Sequence, residues 1–260
     1  MTNGQEEIKR RIQELDSDPF HYRTEEGILA DVRRFISILG NVTNTSMPKS
    51  EISAVDVDTM QAQSRLLKRL EKIVPEIVKG PLRLEEQYWV GKSHPDKSTK
   101  DKLIPNEKSF NALISDPLAY RAVKPFSVGF FTSTGILNTY GMWKLYITPF
   151  AQSGLYPLPW AVWKVQPESH VKILEIKSAH DWEKIILTYP YFEKDLLYPD
   201  WKCVAQDYDA IHMNLRAIAA IQGFYLKTEQ GLIAPSYWDV ETTFWLRWRF
   251  KSTRLIEMMT

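Results

Sequence analysis

A single cysteine, Cys203, stands in 260 residues. That excludes an internal disulfide and any zinc site built from cysteines, and it fits a reducing compartment. No glycine-rich phosphate loop with its lysine occurs, and no G-x-G-x-x-G follows a strand-like run. The five histidines, at 21, 94, 170, 180 and 212, lack metal-ligand spacing and form no H-E-x-x-H, so no metal is expected. G-x-S-x-G is absent as well. No stretch approaches the ~18 apolar residues of a membrane span. The opening Met1-Thr-Asn-Gly-Gln-Glu-Glu7 is polar and acidic, with no apolar signal region behind it. The expectation is a cytoplasmic protein with no membrane partner. A formal net charge of +1 gives no overall electrostatic drive toward nucleic acid, although a local basic groove stays open.

What is present is an ordinary globular balance, 44% hydrophobic and 25% charged residues, over a length that suits one large domain or a domain with an appendage. The first part reads as helical. Helices are expected over 5–15, over 25–39 with Gly40 as the stop, and over 57–74, where Leu66, Leu67, Leu70 and Ile73 share one side and Lys68, Arg69 and Lys72 the other. Residues 91–108 carry lysines and almost no apolar content, the composition of a mobile basic loop. Beyond this the composition shifts. Of 9 tryptophans only Trp89 comes earlier. Strands are expected over 125–131, 161–165, 171–176, 209–213 and 243–250, with helices over 141–150, 179–187 and 201–208. Ser178 and Asp181 mark the start of the second of those helices. The order is that of an α+β fold. It divides the chain into a helical region at 1–115 and an α+β domain at 116–260.

Several residues carry chemistry. Thr132-Ser133-Thr134 reads as a small polar turn after a buried strand that begins near Lys124. Asp239 and Glu241 enter an aromatic strand, where residues two apart share a face. Such a pair suits ribose hydroxyls or a cation, and the competing reading has Glu241 paired with Arg247 or Arg249. Trp143, Trp160, Trp163, Trp245 and Trp248 offer flat faces for a ring, but tryptophans more often fill cores. His212, within Tyr208-Asp-Ala-Ile-His212, is either a satisfied core histidine or a ribose or phosphate contact. Cys203, between apolar neighbours, reads as a buried thiol.

Taken in order, Lys124-Pro…Gly129-Phe-Phe-Thr-Ser-Thr134, Trp143, Val171-Lys-Ile-Leu-Glu-Ile176, Asp200-Trp…Tyr208-Asp-Ala-Ile-His212 and Trp238-Asp-Val-Glu-Thr-Thr-Phe-Trp-Leu246 resemble bacterial and phage proteins similar to the ADP-ribosyltransferase superfamily. The resemblance spans residues 119–250. It implies a split, mostly antiparallel sheet around a cleft for NAD, and transfer of ADP-ribose to a macromolecular acceptor. The basic loop from Lys92 to Lys108 and Lys68, Arg69 and Lys72, as counter-charges for phosphates, put RNA or DNA somewhat ahead of protein. The implied setting is a toxin or a phage-defence or counter-defence effector, with a neutralising antitoxin as a possible partner. On this sequence Glu241 is the implied catalytic carboxylate, with Asp239 as its acidic companion. Thr132, Ser133 and Thr134 shape the cleft, Lys124 meets the pyrophosphate, Trp143 or Tyr208 stacks, and His212 contacts NAD. The alternative is a non-enzymatic binding module with an aromatic stacking surface.

Overall fold

The computed structural model describes residues 27, 29, 30, 32, 54–73, 75–80, 82–92, 103–108, 110, 130–136, 139–148, 157–222, 224–234, 236 and 238–260. Two compact units divide at Gly80/Pro81. Composition placed the division at 115/116. The earlier position follows from Gln87–Lys92, an aromatic and β-branched strand that belongs to the sheet of the second unit.

In the first unit, α1 spans Ala54–Ile73 and α2 spans Pro75–Val78. Leu66 and Leu70 are buried, one turn apart on the same face, as an amphipathic helix requires. Residues 27, 29, 30 and 32 are helical, within the helix expected over 25–39. The helix expected over 5–15 lies outside the described residues.

The second unit is α+β. Its strands are β1 (Gln87–Lys92), β2 (Phe130–Thr134), β3 (Trp160–Pro167), β4 (Ile173–Ile176), β5 (Pro190–Glu193), β6 (Leu196–Pro199), β7 (Ala210–Met213), β8 (Leu226–Lys227), β9 (Leu232–Ile233), β10 (Thr242–Trp245) and β11 (Phe250–Met259). Its helices are α3 (Met142–Ile147), α4 (Ala179–Thr188), α5 (Trp201–Asp207) and α6 (Leu215–Ile221). One sheet runs β11-β3-β1-β2-β10-β7-β4 and a smaller one β5-β6-β9-β8. The large sheet is antiparallel except where β4 meets β7. Helix starts follow local chemistry. The Ser178 hydroxyl accepts from the Asp181 N–H at 3.2 Å while the Asp181 carboxylate accepts from the Lys177 N–H at 3.0 Å, and Asn214 caps α6 through the Ala217 N–H at 2.9 Å.

Alternation along β2, β7 and β10 builds two unlike faces. Phe131 and Phe244 are paired across the ladder and stack at 4.7 Å. They pack on Trp201 and Trp238, and those two rings, with Trp182 of α4, lie 6.2–6.3 Å apart. These three tryptophans are fully buried, so they fill a core. The opposite face is apolar at one end, where Phe130, Ala210 and Trp245 join Val165 and Phe250 in a second core.

The strand expected over 243–250 is in fact two. β10 ends at Trp245 and β11 begins at Phe250 on the far edge of the sheet. The break is set by Asp209. Its carbonyl accepts from Leu246 and Arg247 N–H at 2.8 and 3.3 Å, and its carboxylate from Arg249 Nε at 2.9 Å and Arg247 Nη1 at 3.4 Å. A further N–H, that of Lys172, donates to it at 2.9 Å. Burial by itself would raise this carboxyl, but the Lys172 N–H and the Arg249 guanidinium outweigh it and hold it below the usual aspartate range.

A depressed folded-state value means that Asp209 contributes stability above the unfolded value of about 4. The contribution is lost as pH falls through the folded value. Urea melts from pH 7 down to pH 2 should therefore show Asp209→Asn less stable than the parent at neutral pH, with the two curves converging at the acid end.

Candidate functional site

β2, β7 and the approach to β10 bring three side chains to one point. Glu241 is 5% exposed and sits just before β10. One carboxylate oxygen, Oε2, accepts from the Thr134 N–H at 2.9 Å. The other, Oε1, accepts from the Thr134 hydroxyl at 2.8 Å and lies 2.9 Å from His212 Nε2. His212, in turn, is 2% exposed. A buried carboxylate survives only where donors replace its lost water, and these three contacts do so.

Behind Thr134 stands Gln87, fully buried at the start of β1. Its amide nitrogen donates to Thr134 Oγ1 at 2.9 Å and to the Arg83 carbonyl at 3.0 Å. Its amide oxygen accepts from the Thr132 hydroxyl at 2.6 Å. Thr132 Oγ1 also accepts from Trp245 Nε1 at 2.9 Å. Both threonines thus donate and accept in one chain of bonds running from an indole to a carboxylate.

Register extends the polar line across the sheet. Glu175, His212, Thr243 and Thr132 are successive lateral partners on β4, β7, β10 and β2, so their side chains share a face. Glu175 sits at the edge with Lys177 Nζ 2.8 Å away. Among the described residues, two atoms in the interior of this line find no hydrogen-bond partner: His212 Nδ1 and Thr243 Oγ1. An unmade bond of this kind costs about 1–3 kcal/mol.

The sequence reading placed Thr132, Ser133 and Thr134 in a turn. They form the end of β2. Consequently Ser133 points away from its neighbours, and its hydroxyl accepts from the Trp143 N–H at 3.2 Å. Gly141, at φ 89, makes that approach possible, since a Cβ there would lie 2.3 Å from Ser133 Oγ. Asp239 and Glu241 were expected on one strand face. β10 begins only at Thr242, and Asp239 accepts from Gln222 Nε2 at 2.9 Å while Glu241 turns to Thr134 and His212. The alternative pairing of Glu241 with Arg247 or Arg249 is also not made, because both arginines serve Asp209.

Trp143 is half-buried and stacks on Tyr146 at 5.5 Å. Tyr208 caps α5 and precedes β7, with Lys172 Nζ 5.0 Å over its ring. It therefore sits at the opposite end of that strand from Glu241, about 13 Å along the chain direction. Trp160 and Trp245 are completely buried, and Trp163 gives its N–H to the Leu103 carbonyl at 2.8 Å. Lys124 and most of the basic loop over 91–108 lie outside the described residues. Burial, with Asp200 adding to it, pushes the Cys203 thiol up, away from nucleophile behaviour. Gln87 was missed entirely, since a lone glutamine after acidic residues carries no signal. Among the described residues, no group of three or more His, Cys, Asp or Glu is arranged for a metal, and no helix is long and apolar enough to cross a membrane.

Comparisons with protein-family models, with curated proteins and with solved structures each find no match. A carboxylate anchored through a backbone N–H and a hydroxyl is a fixed negative charge. The imidazole beside it is held by Nε2 and keeps a second, unfilled polar edge.

The Glu241–Thr134 contact is testable by a double-mutant cycle in urea. Glu241→Gln should cost about 1.5–3 kcal/mol as charge-assisted bonds are lost. Combined with Thr134→Val the effects should fall short of additivity by about 0.5–3 kcal/mol. Full additivity would show that the two side chains do not share an interaction.

Proposed function

We propose that the protein is an NAD-consuming ADP-ribosyltransferase acting on a macromolecular acceptor, nucleic acid ahead of protein, with Glu241 as its catalytic carboxylate. The observation that carries this reading is the meeting of Glu241 with Thr134 of β2 and His212 of β7, residues that the motif order had already singled out. NAD supplies a ribosyl group whose bond to nicotinamide breaks with positive charge developing on the sugar. Glu241 supplies the fixed negative charge that such a transition state calls for. Thr134 holds both oxygens of that carboxylate and His212 shares Oε1 with it, so its orientation is set before any substrate arrives. The orphaned His212 Nδ1 and Thr243 Oγ1 lie on the same sheet face and are buried; this reading requires that face to open before a ribose reaches them. Asp239, committed to Gln222, is left out of the catalytic role in this reading.

A second reading has its own observation. Glu241 is 5% exposed and both of its oxygens are engaged within the protein. A carboxylate in that state also serves as a structural anchor in a non-enzymatic binding module.

The two readings separate in one assay. With isotopically labelled NAD and a cell lysate or its extracted RNA, DNA and protein, the transferase reading predicts release of nicotinamide and label on a macromolecule. It also predicts that Glu241→Gln lowers the rate by about 10²-fold or more while remaining folded by circular dichroism. No release by the parent protein, or equal rates for parent and Glu241→Gln, favours the anchor and removes the enzyme.

A further inference from the structure

The chain of bonds behind Glu241 places hydrogens as well as heavy atoms. Trp245 Nε1 can only donate, and it donates to Thr132 Oγ1 at 2.9 Å. The single hydrogen of the Thr132 hydroxyl goes on to Gln87 Oε1 at 2.6 Å. At the other side of that amide, Nε2 lies 3.0 Å from the Arg83 carbonyl, which can only accept. This contact excludes the flipped amide. Nε2 gives its second hydrogen to Thr134 Oγ1 at 2.9 Å, and the Thr134 hydroxyl turns its own to Glu241 Oε1 at 2.8 Å. Gln87, Thr132 and Thr134 are at most 6% exposed, so solvent does not reorder them.

We infer that Gln87 is a positioning residue: it gives this chain one direction, which makes position 241 accept at both oxygens and puts the hydrogen shared with His212 on Nε2. Glu241 Oε2 already takes the Thr134 N–H at 2.9 Å, so Thr134 presents two donors to one side chain. A carboxylate meets both. An amide meets only one, because its nitrogen would face either the N–H or the hydroxyl hydrogen. Two donors aimed at one buried group complement its ionised form. An ionised carboxylate has no hydrogen to give, so His212 Nε2 is the donor across their 2.9 Å contact. Nδ1, without a partner among the described residues, is the edge left open. Gln87 has this role whether or not NAD is the ligand. Where the transferase reading holds, the same order keeps the charge of Glu241 in place for a developing ribosyl cation.

The test exchanges two isosteric side chains in the full chain. Gln87→Glu draws the Thr134 hydroxyl hydrogen toward position 87. Glu241→Gln then offers a carbonyl to the Thr134 N–H, and an amide nitrogen to Thr134 Oγ1 and His212 Nε2. The double variant Gln87→Glu/Glu241→Gln thus runs the last bonds in reverse. In urea unfolding its folded-to-unfolded ratio should exceed the product of the two single losses by about ten-fold. The Arg83 carbonyl loses its donor in Gln87→Glu alone and in the double variant, so it cancels from the comparison. On a Thr134→Val background most of the excess should vanish, which separates hydrogen order from plain repulsion between two carboxylates. Ring nitrogen-15 spectra give the second readout: His212 Nε2 bears a hydrogen in the parent and loses it to Nδ1 in the double variant. If the single variants do not fold, the parent spectrum decides by itself. The role of Gln87 is overturned if Nε2 bears no hydrogen in the parent, if the double variant falls to the product of the single losses, or if the excess persists undiminished with Thr134→Val. Neither measurement uses NAD, so each outcome is read independently of nicotinamide release.

Discussion

The bond from the Thr134 N–H to the Glu241 carboxylate is the constraint around which the second unit is arranged. Water would otherwise solvate that charge, and at 5% exposure it does not. The protein must supply every donor, and it does so from β2 and β7, the two strands that flank β10 in the sheet. Removing one member of such a group leaves a buried charge uncompensated, which is far more costly than never having placed it there. The carboxylate therefore ties the approach to β10 to both neighbours. Through Thr134 it reaches Gln87, and through Gln87 it reaches β1 and Thr132.

The two faces of the central strands divide the labour. On one, Phe131, Phe244, Trp201, Trp238 and Trp182 form a close-packed aromatic layer whose buried surface is almost wholly apolar. On the other, apolar side chains at one end give way to the line Glu175, His212, Thr243 and Thr132. A polar line inside a sheet costs stability unless it is satisfied throughout. Here it is satisfied at Thr132 but not, among the described residues, at His212 Nδ1 or Thr243 Oγ1, and Glu175 Oε2 has only the Lys177 ammonium beside it. His212 thus has one ring nitrogen on the Glu241 carboxylate and the other unfilled.

Much of this was legible in the sequence, and the misses have physical causes. α4 and its cap were visible because Ser178 and Asp181 act locally. β3, β4 and β7 were visible because their apolar runs are short and bounded. Residues 243–250 looked continuous because apolar side chains run through the break, and nothing local reveals that Asp209, far back in the chain, captures the backbone at Leu246 and Arg247. Glu241, His212 and the threonines were each singled out, but the partner of Glu241 was not. Arg247 and Arg249 were the nearer cations in sequence, and they are drawn to Asp209 instead. The α6 helix and the strands of the small sheet were missed because Leu215–Ile221 is apolar nearly all round, β5 and β6 each carry a proline at one end, and β8 and β9 are two residues each. No periodicity therefore marks them.

The central claim is that one carboxylate holds the ends of β2 and β10 together in the interior. Native-state hydrogen exchange at the Thr134 amide reads that bond directly. In the parent protein that amide should exchange only through global unfolding, and in Glu241→Gln it should exchange faster than its neighbours on β2. A Thr134 amide that exchanges in the parent protein at the rate of an exposed loop would contradict it.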